Sequence, residues 1–255
     1  MITVVTLRSV VIVAFDGMQP LDAVGPHEVF AGATAVLAAR KRATAGYDLT
    51  IVSERGTPIT TESGLQIVTA ALPADRTKID TLLIPGGEGS QSARYDEPLI
   101  SWVRDAAKRS RRVATVCSGA FIAAEAGLLD GRTVTTHWAR AQQLQDEYRR
   151  LTVDPDPIYV RDGNVWTSAG VTAGIDLALA MVEADHGGDI AQTVARWMVM
   201  FLHRPGGQTQ FAAPVWVPRA TRAAVRSAQD YIDTHPADDH RLDLLAARAA
   251  MSSRH

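Results

Sequence analysis

Runs of apolar residues that end in Gly, Pro or Asp recur along the first half of the chain. The four clearest are SVVIVAFDG, YDLTIVSERG, DTLLIPGG and RRVATVC. Unbroken runs of this kind are typical of parallel strands that are buried on both faces. Segments with apolar residues at helical spacing separate them. The alternation predicts a doubly wound α/β fold, whose ligands bind beyond the carboxyl ends of the strands.

Proline and glycine mark the ends of several predicted helices. GPHEVFAGATAVLAARKR places Pro26 in the first turn of a helix, and EPLISWVRDAAKRS does the same with Pro98. DIAQTVARWMVMFLHR predicts a helix that ends at Pro205-Gly206-Gly207. Apolar residues cover much of its circumference, which predicts a homodimer contact. The residues concerned are Trp197, Met198, Met200 and Phe201.

Three shorter segments carry strand patterns. TPITTESGLQIVTA alternates like a hairpin that flanks the main sheet. PIYVRDGNVWTSAG predicts a second hairpin, turning at Asp162-Gly163-Asn164. RTVTTHW is a fifth strand-like run, and a helix in ARAQQLQDEYRRL follows it.

The helical pattern of apolar residues is lost near residue 208. QTQFAAPVWVP contains Pro214 and Pro218 and has no helical period, so residues 208–218 are predicted to be a linker. Residues 1–207 then form the α/β domain, and residues 219–255 form a helical appendage.

The composition of the chain limits the kinds of function that it can have. The 255 residues suit one α/β domain with a small appendage. A formal net charge of −2 gives no global reason to bind nucleic acid or an acidic membrane. A single cysteine excludes an intramolecular disulfide, and no apolar run approaches the roughly 18 residues of a membrane span. These two observations predict a soluble protein of the reducing cytoplasm. Metal, P-loop and dinucleotide motifs are absent, so we expect no metal and no cofactor.

That cysteine, Cys117, falls between the strand RRVATVC and a helix of small residues. At such a turn a thiol is exposed at the carboxyl edge of the sheet, near helix N–H groups that favour the thiolate and a developing oxyanion. We therefore expect an accessible Cys117 with a depressed pKa. A buried structural cysteine is the alternative, because free cysteines are among the most buried residues.

Three ionisable side chains are predicted at the edge of the sheet near Cys117, and two of them, Asp22 and His137, are candidates to act with the thiol. The first strand–helix loop carries Asp16 and Asp22, and His137 follows the fifth strand-like run. A thiol nucleophile needs a base of this kind. The alternatives are a loop carboxylate bonded to nearby backbone N–H groups, and a partly buried histidine beside Trp138.

The same edge offers backbone groups for a ligand. DTLLIPGG ends in Gly86 and Gly87, whose N–H groups are candidates for binding a carbonyl or an anion. Ser118 and Gly119 follow the cysteine directly and complete the predicted ligand-binding set. A tight turn is the alternative role for the paired glycines.

Four motifs in order over residues 10–205 resemble the ThiJ/PfpI family of the class I glutamine-amidotransferase-like superfamily. They are FDGMQPLDAVGPHEVF, LLIPGG, VATVCSGAFIAAEAGLLDGRTVTTHW and VWTSAGVTAGIDLALAMVEAD. The resemblance implies a flavodoxin-like sandwich with Cys117 at a nucleophile elbow, hydrogen-bonded by an acidic residue at the position of Asp22. Ser118 stands where peptidase-like members have histidine, which argues against that branch. The motif variants are similar to those of isonitrile hydratases and of the sensor half of GlxA-type, AraC-family transcriptional regulators.

The tail LDLLAARAAMSSRH resembles the opening of the AraC/XylS DNA-binding domain. The resemblance places the start of a groove-reading helix at Ser252, Ser253 and Arg254, inside which the sequence stops. The four residues from Ser252 to His255 cannot hold a helix, so we expect residues from about 236 onward to be frayed or wrongly docked. The alternative is a C-terminal helical cap.

These features favour the ligand-sensing domain of an AraC-family regulator. A cysteine-dependent hydratase or amidase, with Cys117 as nucleophile and Asp22 handling protons, is the main alternative, and a thiol oxidation sensor is a third. The expected partners are an unknown small-molecule ligand, a second copy of the chain, and DNA only through a complete C-terminal domain. No membrane contact is expected.

Overall fold

The computed structural model describes residues 7–40, 45–73, 77–204, 206–208, 220, 222–235 and 238–252. The chain divides into two compact units, Met1–Phe211 and Ala212–His255. None of the helices in the described part combines the length and apolar character that crossing a membrane requires.

A seven-stranded sheet forms the centre of the first unit. Its strands are β1 (Arg8–Val13), β2 (Tyr47–Ser53), β5 (Ala70–Ala71), β6 (Ile79–Ile84), β7 (Ser110–Val116), β10 (Tyr159–Asp162) and β11 (Val165–Ser168). Their spatial order is β10-β11-β7-β6-β1-β2-β5, and the β10–β11 pair is antiparallel while the other pairs are parallel. The four apolar runs are β1, β2, β6 and β7, which confirms the predicted fold class.

Two small sheets lie outside the central one. The predicted flanking hairpin forms from β3 (Ile59–Thr60) and β4 (Gln66–Ile67). The fifth strand-like run gives only β8 (Thr133–Val134), which pairs with β9 (Thr152–Val153). After β8, the N–H of Thr135 donates to the Thr167 hydroxyl on β11 over 2.8 Å, so the run never enters the central ladder. The place next to β7 belongs to β11 instead.

The described residues of the first unit form seven α-helices. They are α1 (Pro20–Ala39), α2 (Ser90–Ala93), α3 (Glu97–Lys108), α4 (Gly119–Glu125), α5 (Ala141–Glu147), α6 (Ala173–His186) and α7 (Gly188–Trp197). Helices α1, α6 and α7 contact one another. Helices α2 and α3 each contact α4. The core between helices and sheet contains fully buried side chains such as Phe30, Ile84 and Phe121.

Helix α1 begins six residues earlier than predicted. Pro20 occupies the first turn, and the Gln19 side chain caps the helix by accepting the N–H of Leu21 over 3.1 Å. Pro26 therefore lies inside the helix rather than at its start. Because proline has no N–H, it cannot donate to the carbonyl of Asp22, four residues back.

Helix α7 ends earlier than predicted, at Trp197 instead of just before Pro205. Val199 has a φ of +56°, and the N–H of Met200 closes the turn on the carbonyl of Ala195 over 2.8 Å. This left-handed closure stops a helix. As a result Trp197, Val199 and Phe201 are 66%, 91% and 73% exposed.

The second unit contains α8 (Ala223–Thr234) and α9 (Leu242–Arg248). The segment that we expected to be frayed or wrongly docked, from about residue 236 onward, includes α9, which forms a helix and packs on α8. The Arg248 guanidinium lies 3.4 Å from the centre of the Tyr231 ring, a cation–π contact that joins the two helices. Ser253, Arg254 and most of the predicted linker lie outside the described residues. Gln208, its first residue, packs into the first unit.

A buried ion cluster ties α6 to the amino-terminal parts of the strands. Arg112 on β7 is 2% exposed, and its guanidinium donates to Asp185 over 2.7 Å and to the Thr81 hydroxyl over 2.8 Å. Asp185 also accepts hydrogen bonds from Arg111 and from the Tyr47 hydroxyl. Each charge in the cluster therefore depends on its neighbours to offset the loss of hydration.

We expect Asp185→Ala to lower the free energy of unfolding by about 3–5 kcal/mol, because it removes the carboxylate nearest to the buried Arg112 guanidinium. Urea unfolding followed by circular dichroism measures the change. Asp105→Ala is the matched control, since Asp105 pairs with Lys108 on the exposed surface of α3 and should show no measurable loss. Similar losses in the two variants would contradict the assigned role of the cluster.

Candidate functional site

Cys117 occupies a sharp turn between β7 and α4, with a φ of +56°. Non-glycine residues adopt this left-handed conformation only when the surroundings hold them there. Here the Cys117 N–H donates to the carbonyl of Ser168 over 3.1 Å, and the Cys117 carbonyl accepts the Thr136 hydroxyl over 2.7 Å. The predicted strand-to-helix elbow is therefore present and anchored to two neighbouring segments.

Glycines make the close packing around the elbow possible. A Cβ at Gly119 would lie 2.2 Å from the carbonyl oxygen of Ile84, and one at Gly86 would lie 2.9 Å from the Cβ of Cys117. A Cβ at Gly170 would lie 2.8 Å from the Cys117 sulfur. Gly170 thus limits the space beside the sulfur, and the sequence analysis did not identify it. The sequence contained it only within one motif of the family resemblance.

Asp22 is fully buried and joins two loops of the site. One carboxylate oxygen accepts the N–H of Gly86 over 2.9 Å, and the other accepts the N–H of Val171 over 2.8 Å. Burial raises the pKa of Asp22 to about 7, although both hydrogen bonds favour the charged form and oppose the rise. The negative charge of Glu62 adds to the rise. Asp22 therefore exchanges its proton near neutral pH.

The Cys117 thiol holds its proton at neutral pH. Burial, followed by the charge of Asp22, raises the pKa of the thiol to about 12. The polar N–H and hydroxyl groups of the neighbouring Ser118 favour the thiolate and act against this rise. The expectation of a depressed pKa is wrong, because loss of hydration outweighs what the start of the seven-residue helix α4 supplies. The side chain is only partly exposed.

The loop after β11 holds Asp22 by means of a strained backbone. Gly170 has a φ of +122° and Val171 a φ of +52°. A left-handed conformation at a β-branched residue is rare and costs energy. The left-handed conformation of Val171 turns its N–H toward the Asp22 carboxylate. The strained residue is therefore one that positions this carboxylate. The sequence gives no local signal for this role.

The paired glycines use their N–H groups within the protein. Gly86 donates to Asp22, and Gly87 donates to the Ser118 hydroxyl over 3.0 Å. That hydroxyl donates back to the Gly87 carbonyl over 3.1 Å. A ligand that used these N–H groups would have to displace Asp22 or Ser118. Ligand binding by Gly86, Gly87, Ser118 and Gly119 stays a prediction.

His137 caps a short 3₁₀ helix, Trp138–Arg140. Its Nδ1 accepts the N–H of Ala139 over 3.3 Å, and its ring lies 5.4 Å from that of Trp138. Burial and the charge of Arg140 lower its pKa, so the ring is neutral at pH 7. The hydrogen bonds of His137 do not reach Cys117, and its catalytic role stays a prediction.

Two further carboxylates are associated with the flanking hairpin: Glu62 lies in its turn, and Asp16 contacts it. Glu62 accepts the Gln19 side-chain amide over 2.7 Å and the N–H of Glu88 over 2.9 Å. Its charge raises the pKa of the thiol as well as that of Asp22, so it acts on the site from the hairpin. Asp16 instead accepts the N–H of Thr60 over 2.8 Å and holds the hairpin in place. The sequence predicted the hairpin but not which residue faces the elbow.

We expect the rate at which iodoacetamide alkylates Cys117 to keep rising well above pH 8.5, because the pKa of the thiol is raised to about 12. Asp22→Asn removes the neighbouring negative charge and should lower that pKa. A fall of about one unit would increase the rate at pH 9 about tenfold. Mass spectrometry of the modified peptide measures both rates. Asp105→Asn, on the exposed surface of α3, is the control, and a wild-type rate that levels off near pH 8.5 would contradict the prediction.

Curated relatives include proteins of two functional kinds. The isonitrile hydratase of Pseudomonas putida is 34% identical over 183 residues, which cover 71% of this chain and 73% of the hydratase. The HTH-type transcriptional regulator GlxA of Rhizobium meliloti is 30% identical over 158 residues, which cover 62% of this chain. The match spans 47% of GlxA, so this chain covers less than half of that regulator. Both likenesses predicted from the motifs are confirmed.

A solved structure shows the same fold. The crystal structure of a ThiJ/PfpI family protein from Pseudomonas syringae superposes with a TM-score of 0.66 at 25% identity, covering 96% of this chain and 92% of the other. The sequence profile of the DJ-1/PfpI family matches residues 8–184, which include the whole Cys117–Asp22 site. With the elbow, the buried carboxyl and this match over most of its length, the chain belongs to the DJ-1/PfpI family.

Proposed function

We propose that this chain is the ligand-sensing domain of an AraC-type transcriptional regulator. The observation that carries the proposal is the end of α9. Ala250 has a φ of +51°, and the N–H of Met251 bonds back to the carbonyl of Ala246 over 2.8 Å. This is the closing pattern of a Schellman turn. It ends the helix directly before Ser252, where the sequence resemblance starts a groove-reading helix.

The site suits a bound ligand of a particular kind. The thiol of Cys117 is neutral at pH 7, and Asp22 and Glu62 are acidic groups close to it. Their charges disfavour an anion beside the sulfur. We therefore expect a small uncharged polar molecule, such as an amide, to bind at the elbow. A change in its occupancy is what the regulator would sense.

A cysteine-dependent hydratase is the second candidate, favoured by the match to an isonitrile hydratase over 73% of that enzyme. In such a reaction the sulfur of Cys117 bonds to the terminal carbon of the isonitrile, and the Asp22 carboxylate takes the thiol proton. Asp22 then returns that proton to the same carbon. Water adds to the resulting thioimidate and expels the thiol, leaving a formamide. A carboxyl whose pKa is about 7 is suited to both proton transfers.

Binding to DNA separates the two candidates. We expect a protein in which residues 1–255 are joined to the rest of an AraC-type DNA-binding domain to bind the promoter DNA upstream of the gene selectively at nanomolar concentration. Residues 1–255 alone should not bind selectively, because only Ser252, Ser253 and Arg254 match the groove-reading helix of the resemblance. Fluorescence anisotropy with specific and scrambled duplexes measures both. Selective binding by the 255-residue chain would contradict the assignment of DNA contacts to a completed C-terminal domain.

If neither protein binds the promoter, the hydratase proposal takes precedence. The test is formamide production from an alkyl isonitrile, followed by NMR. Enzymatic turnover should be lost in Cys117→Ala and reduced in Asp22→Asn. Production that survives Cys117→Ala would exclude the elbow as the catalytic site.

The apolar residues after α7 support a homodimer. Trp197, Val199 and Phe201 present exposed apolar side chains within five residues of chain. We expect sedimentation equilibrium at micromolar concentration to give twice the 27.4 kDa chain mass, and Phe201→Glu to restore the monomer. Tyr95→Glu, at another exposed aromatic residue, is the control. A wild-type particle of 27.4 kDa would rule the dimer out.

A further inference from the structure

The chain leaves the first unit through a short segment that is bonded to both halves of the site. We call Arg204 and residues 206–208 the exit segment. The sequence continues from it toward the second unit, which begins at Ala212. Neither residue of the segment that bonds to the site was predicted to have a role there.

Gln208 bonds to the segment that holds the Cys117 carbonyl. Its side chain is 2% exposed, and its amide nitrogen donates to the Thr136 carbonyl and to the Thr135 hydroxyl, each over 2.9 Å. The hydroxyl of the same Thr136 donates to the Cys117 carbonyl over 2.7 Å. The N–H of Gln208 donates to the carbonyl of Asp156 over 2.7 Å. One residue, Thr136, thus separates the exit segment from the elbow.

Arg204 bonds to the loop that holds Asp22. Its guanidinium donates to Asp176 in the first turn of α6 over 2.6 Å and to the Thr172 hydroxyl over 3.2 Å. Thr172 follows Val171, whose N–H donates to Asp22. The exit segment is therefore attached separately to the thiol side and to the carboxyl side of the site.

We propose that the exit segment reports the state of the Cys117–Asp22 site to the rest of the chain, with Gln208 as the positioning residue on the thiol side. The proposal rests on the proposed sensing function. It adds to that function the path by which occupancy leaves the site. The side-chain amide of Gln208 is either hydrogen-bonded in its buried position or released from it, because leaving a buried N–H donor unpaired costs free energy.

Because the Cys117 sulfur is closely packed, a group that binds to it should affect the hydrogen bonds of the exit segment. The space beside Sγ is closed on one side by Gly170, where even a Cβ would lie 2.8 Å away. A group added to the sulfur has to displace the Gly170 loop or turn the elbow. Turning the elbow moves the carbonyl that Thr136 holds, and displacing the loop moves Thr172, to which Arg204 bonds. Either movement alters a bond of the exit segment.

The first test adds a defined group to the sulfur of the full 255-residue chain. Carbamidomethylation by iodoacetamide changes Cys117 without requiring the natural ligand to be known. We expect hydrogen–deuterium exchange in the peptide that contains Gly206–Gln208 to become at least about fivefold faster, the lower range of coupling between sites. Exchange in the β2 peptide, Tyr47–Ser53, should stay unchanged. Equal exchange before and after alkylation would overturn the proposal.

The second test runs in the opposite direction, because coupling between two sites is reciprocal. Gln208→Leu removes the amide donors at similar volume and should change the alkylation rate of Cys117 at pH 9 by at least about fivefold. Gln142→Leu is the matched control, since the side-chain amide of Gln142 donates to Asp146 on the exposed face of α5. Unchanged rates in Gln208→Leu would overturn the positioning role. If this variant does not fold, the exchange measurement on the wild-type chain still decides.

Both tests are independent of DNA binding and of turnover. Loss of promoter binding by the extended protein, with the coupling intact, would refute the regulator proposal and leave the exit segment's role standing. Selective promoter binding without the coupling would refute only the path.

Discussion

The buried carboxyl of Asp22 is the constraint on which the functional edge of the protein depends. It comes from α1 and accepts one N–H from the loop after β6 and another from the loop after β11. These two loops flank the elbow, so a single side chain sets their spacing. The hydrogen bonds cannot cancel the cost of burial, and the pKa of the carboxyl rises to about 7. The group that organises the site is thus also the group that changes charge near neutral pH.

The electrostatics of Cys117 follow from this arrangement. A thiol beside a buried carboxylate gains little from the first turn of α4, because its own burial and the neighbouring charge both favour the protonated form. The sulfur becomes a better nucleophile only when Asp22 accepts its proton or is neutral. This condition serves a sensor that binds a neutral ligand and a hydratase that shuttles one proton. Within the family, relatives of both functional kinds are found.

The signal path that we propose follows from the way the chain leaves the site after α7. Helix α7 ends at Trp197 and the left-handed Val199 follows, and this early end lets Arg204 and Gln208 return to the site. A helix that continued to Pro205, as its apolar pattern predicts, would have carried Arg204 along its axis. The same turn exposes Trp197 and Phe201, which are the candidates for a dimer contact. One left-handed residue therefore affects both proposals.

The sequence by itself determined the parallel sheet and the elbow at Cys117. Buried parallel strands are continuous apolar runs, and a cysteine between a strand and a small-residue helix is a local pattern. Motif order also singled out Asp22. Only the tertiary structure decided that the thiol keeps its proton, and that Val171, Glu62 and Gln208 act on the site. Burial and hydrogen bonds between residues far apart in sequence set these properties, and no local pattern records such contacts.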